Sequence, residues 1–334
     1  MTGKNLGAIS ATFVLVFGFQ QTVLAQESKL KLSFNHYLST LKDEAKEIGI
    51  DERTIESSFP DIKLFRTAQD TNKAPFKEAS SLDTYIPERV PEWKVEKART
   101  FYKQYKTELE AIGLEYGVQP RFILALWGLE SDFGADTSQY PLLSVVASRA
   151  YENPEHDEYK DEFFATLKIL EQESLQVNEL LGSSKGLLGQ PKFLPSQYLT
   201  YAQDGNADGK KDLWNNPQDV FASLANYLKL VGWKGKETWG RQVLLPENFD
   251  EKHSSSAISN TFSQWTELGI TRYNGNVLPK RDDMLVSLII PDGSKGRAYL
   301  IYDNYRTLIK RMNSDYHALS VAYLSERIKY SEIN

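Results

Sequence analysis

The 334-residue chain has no cysteine, only four histidines and no excess of positive charge. Without thiols it can form no disulfide framework, no cysteine-ligated zinc or iron–sulfur site and no cysteine nucleophile. Four histidines leave little material for a multi-histidine metal centre. With 39 basic against 45 acidic residues, a formal net charge of −6, it lacks the cationic footprint of a nucleic-acid binder. What is present is a globular composition, 41% hydrophobic and 12% aromatic. A chain of this length buries most of its unfolded surface without covalent staples.

Residues 1–25 carry Lys4 as their only charge, an apolar stretch from Leu6 to Phe19, and Val23 and Ala25 at the −3 and −1 positions of a cut. This layout predicts a secretory signal peptide. A retained membrane anchor needs roughly 20 strongly apolar residues, and this stretch is shorter and interrupted by polar ones. No cysteine follows it, so lipidation at a mature N-terminal cysteine is excluded. The expected product is residues 26–334, exported to the periplasm, soluble and without a membrane span.

Along that product the spacing of apolar residues is mostly helical. Leu30 to Phe59 reads as two amphipathic helices broken at Gly49, with Asp51 capping the second. Residues 66–82 read as a surface loop. Helices are predicted over Pro91–Tyr116, from Pro120 to a stop near Gly134, and over Pro141–Tyr151, Asp161–Leu180 and Asp219–Val231. Only Leu285–Ile290 and Ala298–Tyr302 look extended, flanking Pro291-Asp292-Gly293 as a hairpin. Helices over Tyr305–Met312 and Tyr316–Tyr330 close the chain. The expected fold is mainly α with a small β-hairpin.

Ile123, Leu126, Trp127 and Glu130 share one helical face. A carboxyl on that apolar stripe loses hydration, which favours its protonated form, as a general acid requires. The plainer alternative is a glutamate at its helix end, turned outward or paired with an arginine. The Gly- and Pro-rich run from Gly182 to Ser196 fits either a ligand-facing loop or a structural turn that buries Phe193 and Leu194. From Asp204, oxygen side chains fall at loop positions 1, 3, 5 and 9 (Asp204, Asn206, Asp208, Asp212), with Gly209 sixth and the Lys210 carbonyl seventh. That is the first part of an EF-hand calcium loop. Asn215 stands where the twelfth-position glutamate belongs, so Asp219 is the acidic residue placed to complete the set. A solvated aspartate-glycine turn is the alternative.

The segments ALWGLESDFG, GLLGQPKFLPSQYLTYAQDGNADGKKDLW and ANYLKLVGW resemble the membrane-bound lytic murein transglycosylase B family over nearly the whole mature chain. The resemblance implies a lysozyme-like fold with an EF-hand-like loop, one catalytic unit over 26–334 and the peptidoglycan glycan strand as partner. It divides that unit into an N-terminal helical part (about 26–115), a core with the catalytic glutamate and calcium-like loop (about 116–245), and C-terminal hairpin and helices (about 246–334). It implies Glu130 as the sole catalytic acid and base, closing a 1,6-anhydro ring on N-acetylmuramic acid without water, and a structural Ca²⁺ at Asp204, Asn206, Asp208, the Lys210 backbone, Asp212 and Asp219. An ordinary glycosidase instead pairs two carboxyls about 5–5.5 or 6.5–9.5 Å apart. Asp132, two residues on, would point away from Glu130 on a continuing helix.

The resemblance carries Tyr85, Ser183, Gln190 and Tyr227 over as glycan-cleft residues. Lys192 replaces the family's second glutamine, and a cation there would favour the carboxylate of Glu130 over the acid. Near the C-terminus, one gap aligns Asn313 with a family asparagine, and either Tyr316 or His317 with a later tyrosine. Asn313 and Tyr316 are the residues carried over. A non-catalytic wall-binding protein of the same fold and a hydrolytic muramidase are the alternative functions.

Overall fold

The computed structural model describes residues 33–66, 81–136 and 139–329. The signal peptide expected over 1–25 and most of the loop expected over 66–82 lie outside the described residues. The chain divides into two compact units, Met1–Thr67 with Gln139–Gly186, and Ala68–Ser138 with Leu187–Asn334. The three consecutive parts expected along 26–334 are cut across by this division, because 139–186 folds with the N-terminal helices.

In the first unit a helix over 33–47 stops before Gly49, which takes a left-handed φ of 84°. As expected, Asp51 caps the next helix, Glu52–Ser58, its carboxylate accepting the Thr54 amide at 2.7 Å. The helix Leu142–Glu152 sends Tyr151 against Phe34 and Tyr37, ring centroids 5.2 and 5.5 Å apart. The helix Asp157–Glu173 begins four residues earlier than predicted, with Asp157 and Glu158 in its first turn, where negative charge complements the helix dipole. Strands β1 (Tyr140–Pro141) and β2 (Leu181–Gly182) pair antiparallel.

The second unit holds the larger core. The single helix predicted over Pro91–Tyr116 is two, Glu92–Gln104 and Lys106–Tyr116. They break at Tyr105 (φ −104°, ψ 24°), whose ring packs edge-on against Trp127 and Phe221 at 6.0 and 5.4 Å. The apolar period runs on across the break, so the sequence gives no warning of it. A further helix, Leu82–Arg89, forms in spite of Pro87 within it, at the cost of one internal hydrogen bond. The helix Pro120–Ser131 is the centre of this unit. Proline at its first turn presets the backbone, and Phe122 through Leu129 are all buried. It packs on Glu92–Gln104, Lys106–Tyr116, Pro217–Leu230 and Asp315–Lys329.

Where two extended segments were expected, five strands form an antiparallel sheet: β3 (Gly240–Leu244), β4 (Asn260–Thr261), β5 (Thr271–Arg272), β6 (Leu285–Ile289) and β7 (Ala298–Ile301), in the order β4-β6-β7-β3-β5. The predicted hairpin is its centre, with Leu288 opposite Leu300. Two of the added strands are two residues long, too short for an alternating pattern to show. Beneath the sheet, Phe262, Trp265, Ile270, Leu288 and Leu300 form a small core, and the Trp265 indole donates to the Val286 carbonyl at 2.9 Å. The chain ends in helices Asp303–Met312 and Asp315–Lys329.

Candidate active site

The helix that carries Glu130 ends abruptly. Asp132, Phe133 and Gly134 take φ of 50°, 59° and 80° in succession. A left-handed residue other than glycine costs about 1–2 kcal/mol. For Phe133 burial offsets that cost, since its ring tucks beneath Gly128 and packs on Trp127 and Phe101. A Cβ at Gly128 would stand 2.5 Å from the Phe133 ring, which explains the glycine two residues before Glu130. Asp132 therefore caps the helix instead of continuing it. Its carboxylate faces Lys94 at 3.6 Å and Lys97 at 3.7 Å, and Lys97 also donates to the Asp132 carbonyl at 3.1 Å. Burial pushes the Lys94 ammonium down from its ordinary value in spite of Asp132. These two cations face the Asp132 carboxylate from the helix Glu92–Gln104.

Glu130 itself is mostly buried, its side chain 15% exposed, and pairs with Arg311 from the helix Asp303–Met312. Arg311 Nε donates to Glu130 Oε1 at 3.1 Å. The guanidinium is 5% exposed, lies 5.1 Å from the rings of both Phe193 and Tyr227, and donates to the Pro191 carbonyl. Glu130 Oε2 accepts no hydrogen bond from the described residues. Sequence reasoning weighed an arginine partner for Glu130 but did not find this one, 181 residues away. Its only signal was its place two residues before Asn313, in the C-terminal stretch that resembles the family.

The loop residues divide. Leu188 and Phe193 close a tight turn through reciprocal backbone bonds of 2.8 and 3.1 Å, with both side chains fully buried. Gln190 is turned inward: its amide oxygen accepts from the Trp127 indole at 2.5 Å and its nitrogen donates to the Trp214 carbonyl at 2.7 Å. The side chain expected to meet sugar thus ties the loop to the Glu130 helix. Lys192, left-handed at φ 54°, reaches the Asp136 carbonyl at 3.1 Å and the Asp136 carboxylate at 3.6 Å. The cation paired with Glu130 is Arg311 and not Lys192, because the turn aims the lysine at Asp136, beyond the Glu130 helix. Ser183 belongs to the first unit, its hydroxyl accepting from the Lys185 amide at 3.3 Å.

Tyr227 reaches the Glu130 side through Arg311. Burial raises its phenol above the ordinary value, and it stacks edge-on with Tyr201 at 5.0 Å. Tyr85 and Tyr316 meet edge-on at 5.2 Å. Tyr316 donates to Asp292, whose carboxylate pushes the phenol up to about 12. Next to it, His317 is half-buried, and its buried Nε2 has no hydrogen-bond partner among the described residues. Burial lowers its imidazole, and the charges of Glu130, Arg89 and Arg311 act on it. Of the two aligned candidates, Tyr316 is committed to Asp292. Asn313 caps its helix in the left-handed region and lines a separate cleft of about 570 Å³ with Tyr305, Arg306 and Lys310.

In the acidic loop the carboxylates accept backbone amides. Asp204 takes Asp208 N and Gly209 N at 3.2 and 2.7 Å, Asp208 takes Lys210 N at 2.9 Å, and Asp212 takes Asn215 N at 2.9 Å. Gly209, at φ 88°, makes the sharp turn expected at the sixth position. Asp219 is fully buried and accepts Gly205 N and Asp212 N at 2.9 and 2.7 Å. Burial raises its carboxyl, and it has no cationic partner among the described residues. Among those residues no three Asp, Glu, His or Cys side chains converge as a metal cage. What fits a hard cation is the set of oxygen donors, their order, and a buried carboxylate with no cation beside it among the described residues.

A family model described as transglycosylase SLT domain matches residues 33–326. Membrane-bound lytic murein transglycosylase B of Escherichia coli is 28% identical over 246 residues, 72% of this chain and 65% of the relative. The matched segment thus spans just under two thirds of that protein's length. SltB3 of Pseudomonas aeruginosa, solved in complex with NAG-NAM-pentapeptide, superposes with a TM-score of 0.83 at 28% identity, covering 89% of this chain and 80% of that one. The Escherichia coli lytic transglycosylase Slt35 in complex with calcium shares the fold, with a TM-score of 0.74 at 22% identity over 88% of this chain and 92% of that one.

Proposed function

The chain belongs to the transglycosylase SLT domain family, and from that membership we propose that it is a lytic transglycosylase. It cleaves the β-1,4 bond between N-acetylmuramic acid and N-acetylglucosamine without water. The observation that carries this reading is a lone carboxylate in a mostly buried setting, its neighbour Asp132 being taken by two lysines. One carboxyl suffices when it acts twice. Protonated, Glu130 gives its proton to the glycosidic oxygen as the bond to muramoyl C1 breaks. As the carboxylate it then removes the proton of the C6 hydroxyl, whose oxygen bonds C1 and closes the 1,6-anhydro ring.

Arg311 fixes the carboxylate through Oε1, leaving Oε2 to face the glycosidic oxygen. Tyr85 offers a ring face to the sugars, Tyr227 backs Arg311 from its buried position, and Gln190, Lys192 and Tyr316 brace the segments around Glu130. The complex of SltB3 with a NAG-NAM-pentapeptide supports this substrate class. Digestion of purified murein sacculi followed by mass spectrometry tests the reading. Anhydromuropeptides are the expected product. Fragments heavier by one water would make the protein a muramidase, and wall binding without release would make it a non-catalytic binder.

The protein works in the periplasm, a reading supported by the leader pattern of residues 1–25 and by the family. Among the described residues no helix is long and apolar enough to cross a membrane. The loop from Asp204 to Asp219 would hold a structural Ca²⁺ through Asp204, Asn206, Asp208, the Lys210 carbonyl, Asp212 and Asp219, a reading supported by the order of oxygen donors and the buried Asp219. The ion would offset the buried Asp219 charge and brace the loop against the Tyr227 helix. Calcium at about 100-fold its Kd should then add about 2.7 kcal/mol of stability. Thermal unfolding with calcium and with chelator checks this, and identical melting points in the two would remove the ion. Asp204→Asn should shrink the calcium-dependent shift.

A further inference from the structure

A groove of about 380 Å³ opens beside the end of the sheet, lined by Asp83, Gln242, Leu244, Tyr273, Lys295 and Arg297. Tyr273 is 63% exposed and Leu244 42%, so an aromatic face and an aliphatic edge stand open to solvent. Lys295 is exposed and carries no ion pair among the described residues. Arg297 is fixed as one wall by a 2.6 Å bond from its Nε to Asp83.

The groove is joined to the Glu130 helix by a continuous run of contacts. The helix Leu82–Arg89 has Asp83 at one end, in the groove. At its other end, Arg89 donates to the carbonyl of Leu129, the residue before Glu130, at 2.6 Å. Six residues separate these ends, about 9 Å along the axis. On the helix between them, Tyr85 packs on Tyr316, which bonds Asp292, and Asp292 in turn accepts the Leu82 amide at 2.8 Å. Gly296, beside Lys295, packs so closely on Asp292 that a Cβ would stand 2.5 Å from the Asp292 Cβ.

We infer that this groove is an accessory subsite for the acidic peptide attached to a muramoyl residue of the strand held at Glu130. The inference rests on the transglycosylase reading. The glycan backbone of that substrate is uncharged, whereas its stem peptide brings carboxylates. Lys295 meets a carboxylate, the Gln242 amide offers both a donor and an acceptor to peptide groups, and the open Tyr273 ring covers alanine methyls and other aliphatic parts. The cleft therefore reads the peptide as well as the sugar.

The experiment compares wild type, Lys295→Glu and Tyr273→Ala on two substrates, glycan strands with stem peptides and the same strands stripped of them. Both residues are exposed, so the variants should fold. On peptide-bearing strands Lys295→Glu should raise KM about tenfold with little change in kcat, and on stripped strands it should change neither. Equal effects on the two substrates, or none on either, overturn the subsite. Binding of free muramoyl pentapeptide, followed by calorimetry, is measured alongside. If wild type releases no anhydro product from either strand, the transglycosylase reading fails separately. The subsite then stands or falls on whether Lys295→Glu weakens pentapeptide binding about tenfold or leaves it unchanged.

Discussion

Glu130→Gln should lower release of anhydromuropeptides by at least about a thousandfold while leaving the fold intact. General acid–base catalysis by a positioned group supplies about 10²–10⁴-fold, and in the proposed mechanism one group serves both proton transfers. Glutamine keeps the shape of the side chain and can still accept from Arg311 Nε, but it has no proton to exchange in either step. Arg311 keeps its bond to the Pro191 carbonyl and its place against Phe193 and Tyr227, so thermal stability should move little. Sacculus digestion by the purified variant is the measurement. A variant retaining more than about a tenth of the wild-type rate would contradict the role, because glutamine can carry out neither proton transfer. Asp132, the nearest in sequence, is held by Lys94 and Lys97.

Arg311→Met should cost about 3 kcal/mol of stability and most of the activity. Methionine keeps an apolar stem between the two rings, but it strands a carboxylate that is only 15% exposed and leaves the Pro191 carbonyl without its donor. Removing one partner of a buried ion pair costs about 3–5 kcal/mol, and the residual exposure of Glu130 places this pair at the lower end. Denaturant unfolding of wild type, each single variant and the double variant tests the coupling. In the Glu130→Gln background no charge is stranded, so Arg311→Met should cost clearly less there. Additivity within about 0.5 kcal/mol would show that the two side chains are not coupled. Arg311→Lys is a useful control, since it keeps the charge but loses the planar fork that reaches Glu130 and Pro191 together.

Sequence alone reached far along the Glu130 helix. Pro120 at its start, the apolar stripe through Ile123 and Trp127, and the carboxyl at its end follow from local periodicity, and the structure places them so. The acidic loop was legible for the same reason, since the spacing from Asp204 to Asp212 and the glycine at the turn are properties of a few consecutive residues. Its missing cysteines also excluded whole classes of site chemistry before any fold was considered.

What periodicity could not supply were the partners. Nothing in the order of residues says that Arg311 reaches Glu130, that Gln190 is used up between Trp127 and Trp214, or that Lys192 turns to Asp136. Each of these depends on which distant segments the chain brings together. The break at Tyr105 and the two-residue strands escaped for a related cause, being set by the rings and strands packed against them and not by their own pattern. The sequence by itself determined where the acid stands and what chemistry was excluded. Tertiary structure alone decided which charge holds that acid and which neighbours are free to meet substrate, because a polar side chain takes whichever partner burial leaves within reach.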